Sequence, residues 1–126
     1  MTHQIIIATA AIFGMLAVIF GAFGAHALKK TLSPDQLQSF EVGVKYQMYH
    51  AFVLLALGFS PYTVTATTYW CFTIGIILFS FSIYGLVLSD AIGKKLRVLG
   101  PITPIGGLLL VAGWFLILVN VFLLVI

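Results

Sequence analysis

The sequence predicts an all-α integral membrane protein, a bundle of four transmembrane helices in which the second helix carries an interfacial N-terminal extension. Three observations predict it. Of 126 residues, 62% are hydrophobic and 7% charged, against roughly 45–50% and 25% in soluble domains. Six basic and three acidic side chains cannot cover a water-facing surface, so lipid must be the main solvent. Apolar runs near the roughly 20 residues that cross a hydrocarbon core of about 30 Å recur along the chain, with room for four. Five of the six basic residues lie in or beside two of the three connecting loops, the sixth being Lys45.

The first span runs from about Ile5 to Ala25, with Thr9 as its only polar side chain. Ala25-His26-Ala27 resembles a small-x-small cleavage site. The run is longer than the roughly 7–15 residue apolar region of a signal peptide and no Lys or Arg precedes it, so a retained helix is expected. After Lys29-Lys30, Ser33-Pro34-Asp35 is a helix start, with Ser33 as N-cap, Pro34 at the first helical position and Asp35 facing the helix dipole. Leu37, Phe40, Val44 and Met48 form a helical-period stripe suited to the membrane interface. Ala51 to Phe59 is wholly apolar or Gly but too short to cross alone. The second span, about 40–59, must therefore admit Glu41, Lys45, Gln47 and His50.

Ser60-Pro61-Tyr62 ends that helix, and a Thr-rich turn leads to a third span at about 69–88. Asp90, Lys94, Lys95 and Arg97 mark a return to water, and Pro101 and Pro104 punctuate the start of a fourth span, about 102–126. Tyr62, Tyr69 and Trp70 cluster at one loop as an interfacial belt, whereas Trp114 falls mid-span and reads as packing. The whole chain, 1–126, reads as one domain. Basic-residue placement puts the first and third loops in the cytoplasm and both termini outside.

Helices in lipid associate through small residues and interhelical hydrogen bonds. Ala10, Gly14, Ala17, Gly21 and Gly24 step by four, three, four and three along one seam of the first span, and Gly106, Gly113 and Asn120 recur seven apart on the fourth. Close helix packing explains most of the 12 glycines. A seam of this kind serves either its own bundle or another copy, and a homo-oligomer with membrane lipids as its other partners is expected.

The polar residues of the second helix are the candidate site. At about 1.5 Å per residue, His50 lies roughly 13–14 Å from the outer end, level with Gly14, which leaves room for an imidazole. Gln47 and His50 share a face that can turn toward the first helix, and Tyr46 neighbours His50 at i,i+4. Glu41 and Lys45 are spaced to pair, as are Asp90 and Lys94, and His26 falls near the depth of Glu41. Polar groups at membrane depth serve either a ligand or solute path or interhelical bonding. The candidate set is thus His26, Glu41, Lys45, Tyr46, Gln47 and His50. His3 reads as incidental and Cys71 as packing; a lone Cys also excludes an intramolecular disulfide and a Cys-based metal site. No CxxC, HExxH, G-x-S-x-G or P-loop pattern occurs, so no catalytic residue, metal or cofactor is expected.

Gly21-Ala22-Phe23-Gly24-Ala25-His26-Ala27-Leu28, then Phe40-Glu41-Val42-Gly43-Val44-Lys45-Tyr46-Gln47-Met48-Tyr49-His50-Ala51, and Pro101-x-x-Pro-x-Gly-Gly ending at Gly107, resemble a family of small bacterial inner-membrane proteins of the YgdD and YwdK type, with relatives in eukaryotes. The resemblance covers the whole chain. It implies a four-helix inner-membrane protein and no activity. The reading that follows is a non-enzymatic membrane protein that holds a lipid-like or small amphipathic ligand between the first two helices. A transporter or channel using His50, Tyr46 and Lys45 is the competing class. Nucleic acid is not an expected partner.

Overall fold

Why these residues become helices is visible at their ends. In the computed structural model, which describes residues 1–126, Thr2 accepts a hydrogen bond from the Ile5 amide and starts α1, His3–His26. Ser33 and Gln36 form a reciprocal capping box with Pro34 in the first turn, starting α2, Pro34–Gly58. Thr65 accepts from the Thr68 amide and starts α3, which runs Ala66–Ala91. Within α3 the segment Ile77–Phe81 is a π-helical turn. Gly93, at φ +78°, reverses the chain after α3, a conformation that a side chain would oppose. The short 3-10 turn Arg97–Leu99 precedes α4, Ile102–Asn120.

The chain is all-helical, with one isolated bridge pairing Thr63 and Val125. Three stretches are long and apolar enough to cross a membrane: His3–His26, Ala66–Ala91 and Arg97–Leu123. The other helix, α2, has 25 residues but carries Asp35, Glu41 and Lys45. The last helix stops at Asn120 rather than continuing to Ile126. The 3-10 turn Val121–Leu123 and a left-handed Leu124 fold the chain back, and the Ile126 amide reaches the Thr63 carbonyl at 2.7 Å. Met1 binds the Val64 carbonyl at the same end.

Packing registers are antiparallel from α1 to α2 to α3 to α4. Along α1 and α2, Ile7 meets Gly58, Gln47 binds Phe13, Val44 lies on Gly21 and Phe40 covers Gly24. Along α3 and α4, Phe72 meets Gly113, Leu110 lies on Gly75, the Leu78–Phe79 backbone touches Gly106, and the Ser82 and Thr103 hydroxyls bond at 2.5 Å. α3 is the central element, because it also binds α1 through Tyr69 and Thr9 hydroxyls at 2.7 Å.

The exterior is apolar. Only 31 of 126 residues are buried, and Ile12, Val18, Phe52, Leu108, Phe115 and Leu118 all lie outside, an arrangement that water would penalise and lipid does not. The buried hydrophobics form one cluster at the end carrying the termini, around Phe13, Leu54, Phe72 and Ile76, and a smaller one at the basic-loop end, around Leu28, Phe40 and Tyr84.

Candidate functional site

The six candidate side chains of the sequence do not form one cluster between α1 and α2. Gln47, with no exposed surface, does enter that seam. Its Nε2 donates to the Phe13 carbonyl at 2.8 Å, and its Oε1 accepts from the Tyr84 hydroxyl at 2.7 Å. One side chain therefore ties α2 to both α1 and α3. Beside it, Ser80 Oγ donates to the Gly43 carbonyl at 2.7 Å. Both polar atoms of Gln47 thus have partners within the bundle, an arrangement of interhelical bonding. Thr73 Oγ1 is the single buried side-chain polar atom without a partner.

His50 faces the opposite wall. Its Nε2 accepts from the Trp114 indole N–H of α4 at 3.1 Å, and its Nδ1 lies 2.7 Å from the Tyr46 carbonyl. An indole N–H only donates and a carbonyl only accepts, so the partners select the neutral imidazole with its proton on Nδ1. Phe72 and Trp114 pack around the ring, and Tyr46 stacks at 6.3 Å between centroids. Nothing of this involves Gly14, which has open space within 4 Å of where a side chain would begin. Three residues turn an α-helix by about 300°, so Gln47 and His50 diverge by about 60°. That divergence sends one into the α1/α3 seam and the other toward α4.

Two cavities share the space between α2 and α4, with α3 as floor. The deeper, about 250 Å³, is lined by Tyr46, His50, Phe79, Gly107, Leu110, Val111 and Trp114. The larger, about 860 Å³, opens at the basic-loop end beside Asp35, Ser39, Val42, Asp90, Lys95, Arg97 and Thr103. Helical spacing places them in succession along the same three elements. Val42 and Tyr46, Ile83 and Phe79, and Thr103 and Gly107 are i,i+4 neighbours, each pair with one member in each cavity. The two cavities thus follow one another along the same helix faces, the larger bordered by charged residues and the smaller by aromatic ones. The π-helical turn lies at the floor of the smaller and includes Phe79, consistent with the tendency of such turns to occur at functional sites.

Of the remaining candidates, only Tyr46 borders a cavity. His26, Glu41 and Lys45 are exposed, and Tyr46 is partly so. Asp90 accepts from Gln36 at 2.9 Å, where the spacing had suggested Lys94. His3, expected to be incidental, has Nδ1 2.8 Å from the Gly58 carbonyl. Of the small-residue seam, Ala10, Ala17, Gly24, Gly106 and Gly113 are buried within the chain. Asn120 turns away from helix packing to donate to the Ile126 carbonyl at 3.0 Å.

Sequence reasoning missed Tyr84, Ser80 and the polar role of Trp114. A signal existed for each: Ser80 and Tyr84 are i,i+4 polar residues inside an apolar span, and Trp114 places an N–H donor at mid-span, far from an interface.

Comparison with known proteins places these residues in a wider group. A family model described as a protein of unknown function, DUF423, matches residues 20–107. A UPF0382 membrane protein of Staphylococcus haemolyticus is 38% identical over 122 residues, covering 94% of this chain and 96% of its own. A counterpart in Staphylococcus aureus is 39% identical over 122 residues, covering 94% and 96%. The UPF0382 inner membrane protein YgdD of Escherichia coli K12 is 36% identical over 124 residues, covering 95% and 91%. No solved structure matches.

Proposed function

The chain belongs to the DUF423 family, as a relative of UPF0382 membrane proteins, and from that premise we propose that it is a non-enzymatic, four-span inner-membrane protein that holds an amphipathic molecule between α2 and α4. The observation that carries this reading is the succession of two cavities between α2 and α4, from Lys95 and Arg97 to the His50–Trp114 bond, which we read as one groove. Such a shape matches a polar head with an apolar tail. The α1/α2 seam, proposed from the sequence as the ligand site, is filled by packing and by Gln47.

Four spans are supported by register. α2 lies against α1 from Gly58 beside Ile7 to Phe40 beside Gly24, so a membrane that contains α1 contains most of α2 as well. Asp35 and Gln36 then lie at its surface, as an interfacial extension. The termini gather at the 60–65 loop while Lys29, Lys30, Lys94, Lys95 and Arg97 occupy the other end, which supports cytoplasmic basic loops and external termini. Single cysteines in a Cys71→Ser background test this. Tyr62→Cys is expected to react with an impermeant maleimide added to spheroplasts, and Lys30→Cys and Lys94→Cys only after lysis; the reverse pattern refutes the orientation.

A solute path along His50, Tyr46 and Lys45 finds its first two residues on the deep cavity and the third outside it. The groove reading has a direct test in Gly107, where a side chain would begin 3.7 Å from the Phe79 ring, an ordinary contact. Gly107→Leu is expected to fill the deep cavity, keep the fold and abolish retention of the molecule that copurifies with the native protein in mild detergent. Equal retention by both proteins, read by mass spectrometry of extracts, or no retained molecule in the native one, overturns the proposal.

A further inference from the structure

The two walls of the groove mouth carry opposite charge. Asp35, near the start of α2, and Asp90, near the end of α3, stand on one side with Gln36 and Ser39. Lys95 and Arg97, in the turn before α4, stand on the other with Gly100 and Thr103. The Gln36 side chain holds one carboxylate oxygen of Asp90 at 2.9 Å, which steadies the acidic wall. Formal charges of the lining cancel, two against two. The start of α4 lies on the cationic wall, where its free amides add partial positive charge.

Resting on the groove reading, we infer that the occupant is a zwitterionic phospholipid, with its phosphate toward Lys95 and Arg97, its primary ammonium toward Asp90 and Asp35, and an acyl chain along Val42 and Tyr46 to Trp114. A purely anionic head would meet two carboxylates, and a purely cationic one would meet Lys95 and Arg97. A sugar head would leave all four charges unmatched. Only a head that carries both signs satisfies both walls, and a phospholipid also supplies a tail for the aromatic cavity. The cytoplasmic leaflet, where the mouth opens in the proposed orientation, supplies such molecules laterally, without a path through water. Guanidinium and ammonium groups are both suited to phosphate, the former by paired donors and the latter as a point charge.

The test uses the full-length protein, delipidated in detergent, and three diacyl probes: phosphatidylethanolamine, phosphatidylglycerol and diacylglycerol. Apparent affinities are read from concentration-dependent thermal stabilisation and from native mass spectrometry. Phosphatidylethanolamine is expected to bind the native protein about tenfold more tightly than phosphatidylglycerol, the scale of one hydrogen bond to a charged group. Joint substitution Asp35→Asn and Asp90→Asn is expected to erase or reverse that preference. Joint substitution Lys95→Gln and Arg97→Gln is expected to bring both phospholipids down to diacylglycerol. Equal binding of all three by the native protein, lost in Gly107→Leu, overturns the headgroup assignment and keeps the groove; so does a preference for phosphatidylglycerol. Lipid binding that Gly107→Leu leaves intact, or none at all in the native protein, overturns both. A double variant that fails to fold is replaced by the corresponding single substitutions, whose smaller shifts in the same directions are read identically.

Discussion

Gly106→Ala lowers the stability of the protein by about 1–3 kcal/mol, the usual range for forcing extra atoms into a packed core, while Gly107→Ala leaves it nearly unchanged. The two glycines are adjacent on α4 and differ only in what they face. A methyl group on Gly106 would overlap the Phe79 nitrogen and the Leu78 carbonyl carbon, both backbone atoms of α3. Backbone has no rotamer in which to retreat, so the helices must separate. At Gly107 the same methyl would lie 3.7 Å from a Phe79 ring carbon. The contact at Gly106 also falls on the π-helical turn, Ile77–Phe81. Thermal denaturation of the two variants in the same detergent distinguishes these outcomes, and equal losses would show that the α3/α4 contact is not as close as described.

Gln47→Leu is the second large effect, with an expected loss of about 1–2 kcal/mol. The volume is nearly kept, and what goes is the pair of bonds to the Phe13 carbonyl and the Tyr84 hydroxyl. The Tyr84 hydroxyl is then left in an apolar site without its partner, and stranded polar groups cost more than the bond was worth. Interhelical hydrogen bonds in membranes have measured values averaging about 0.6 kcal/mol, and two are lost here. Tyr84→Phe alone should cost less, and adding it to Gln47→Leu should recover part of the loss, because the stranded hydroxyl is removed. A double-mutant cycle followed by unfolding in mixed micelles reads the coupling. Additive losses would mean that Gln47 and Tyr84 do not act together.

Much of the helical layout was legible because its signals are local. Ser33-Pro34 marks a helix start through capping chemistry that needs no tertiary partner, and the capping box is present with Gln36 as its reciprocal member. The apolar runs at His3–His26, Ala66–Ala91 and Arg97–Leu123 declare themselves by length and composition. Gly113 was legible as a packing residue by its spacing, but whether it met its own chain or another copy was not. The structure sets it against the Phe72 ring, 2.8 Å from where a side chain would begin. Gly14 belongs to the same sequence pattern on α1 and meets nothing within 4 Å. Equal spacing thus conceals unequal surroundings.

The candidate site shows the same boundary. Residue content and order alone establish that lipid is the solvent, and that Gln47 and His50 belong to a polar stretch of α2. Charge count, hydropathy and residue type decide those matters one segment at a time. Packing among the helices is what sets Gln47 in the α1/α3 seam, brings His50 to Trp114 and leaves the open space between α2 and α4. Depth along a helix accumulates at a fixed rise per residue and can be counted from sequence. Direction around it depends on how each neighbour is rotated and, in α3, on a π-helical turn that shifts the phase. A rotation of about 60° separates a side chain used as a structural bond from one that borders a groove, and that rotation is set by packing among helices distant in sequence.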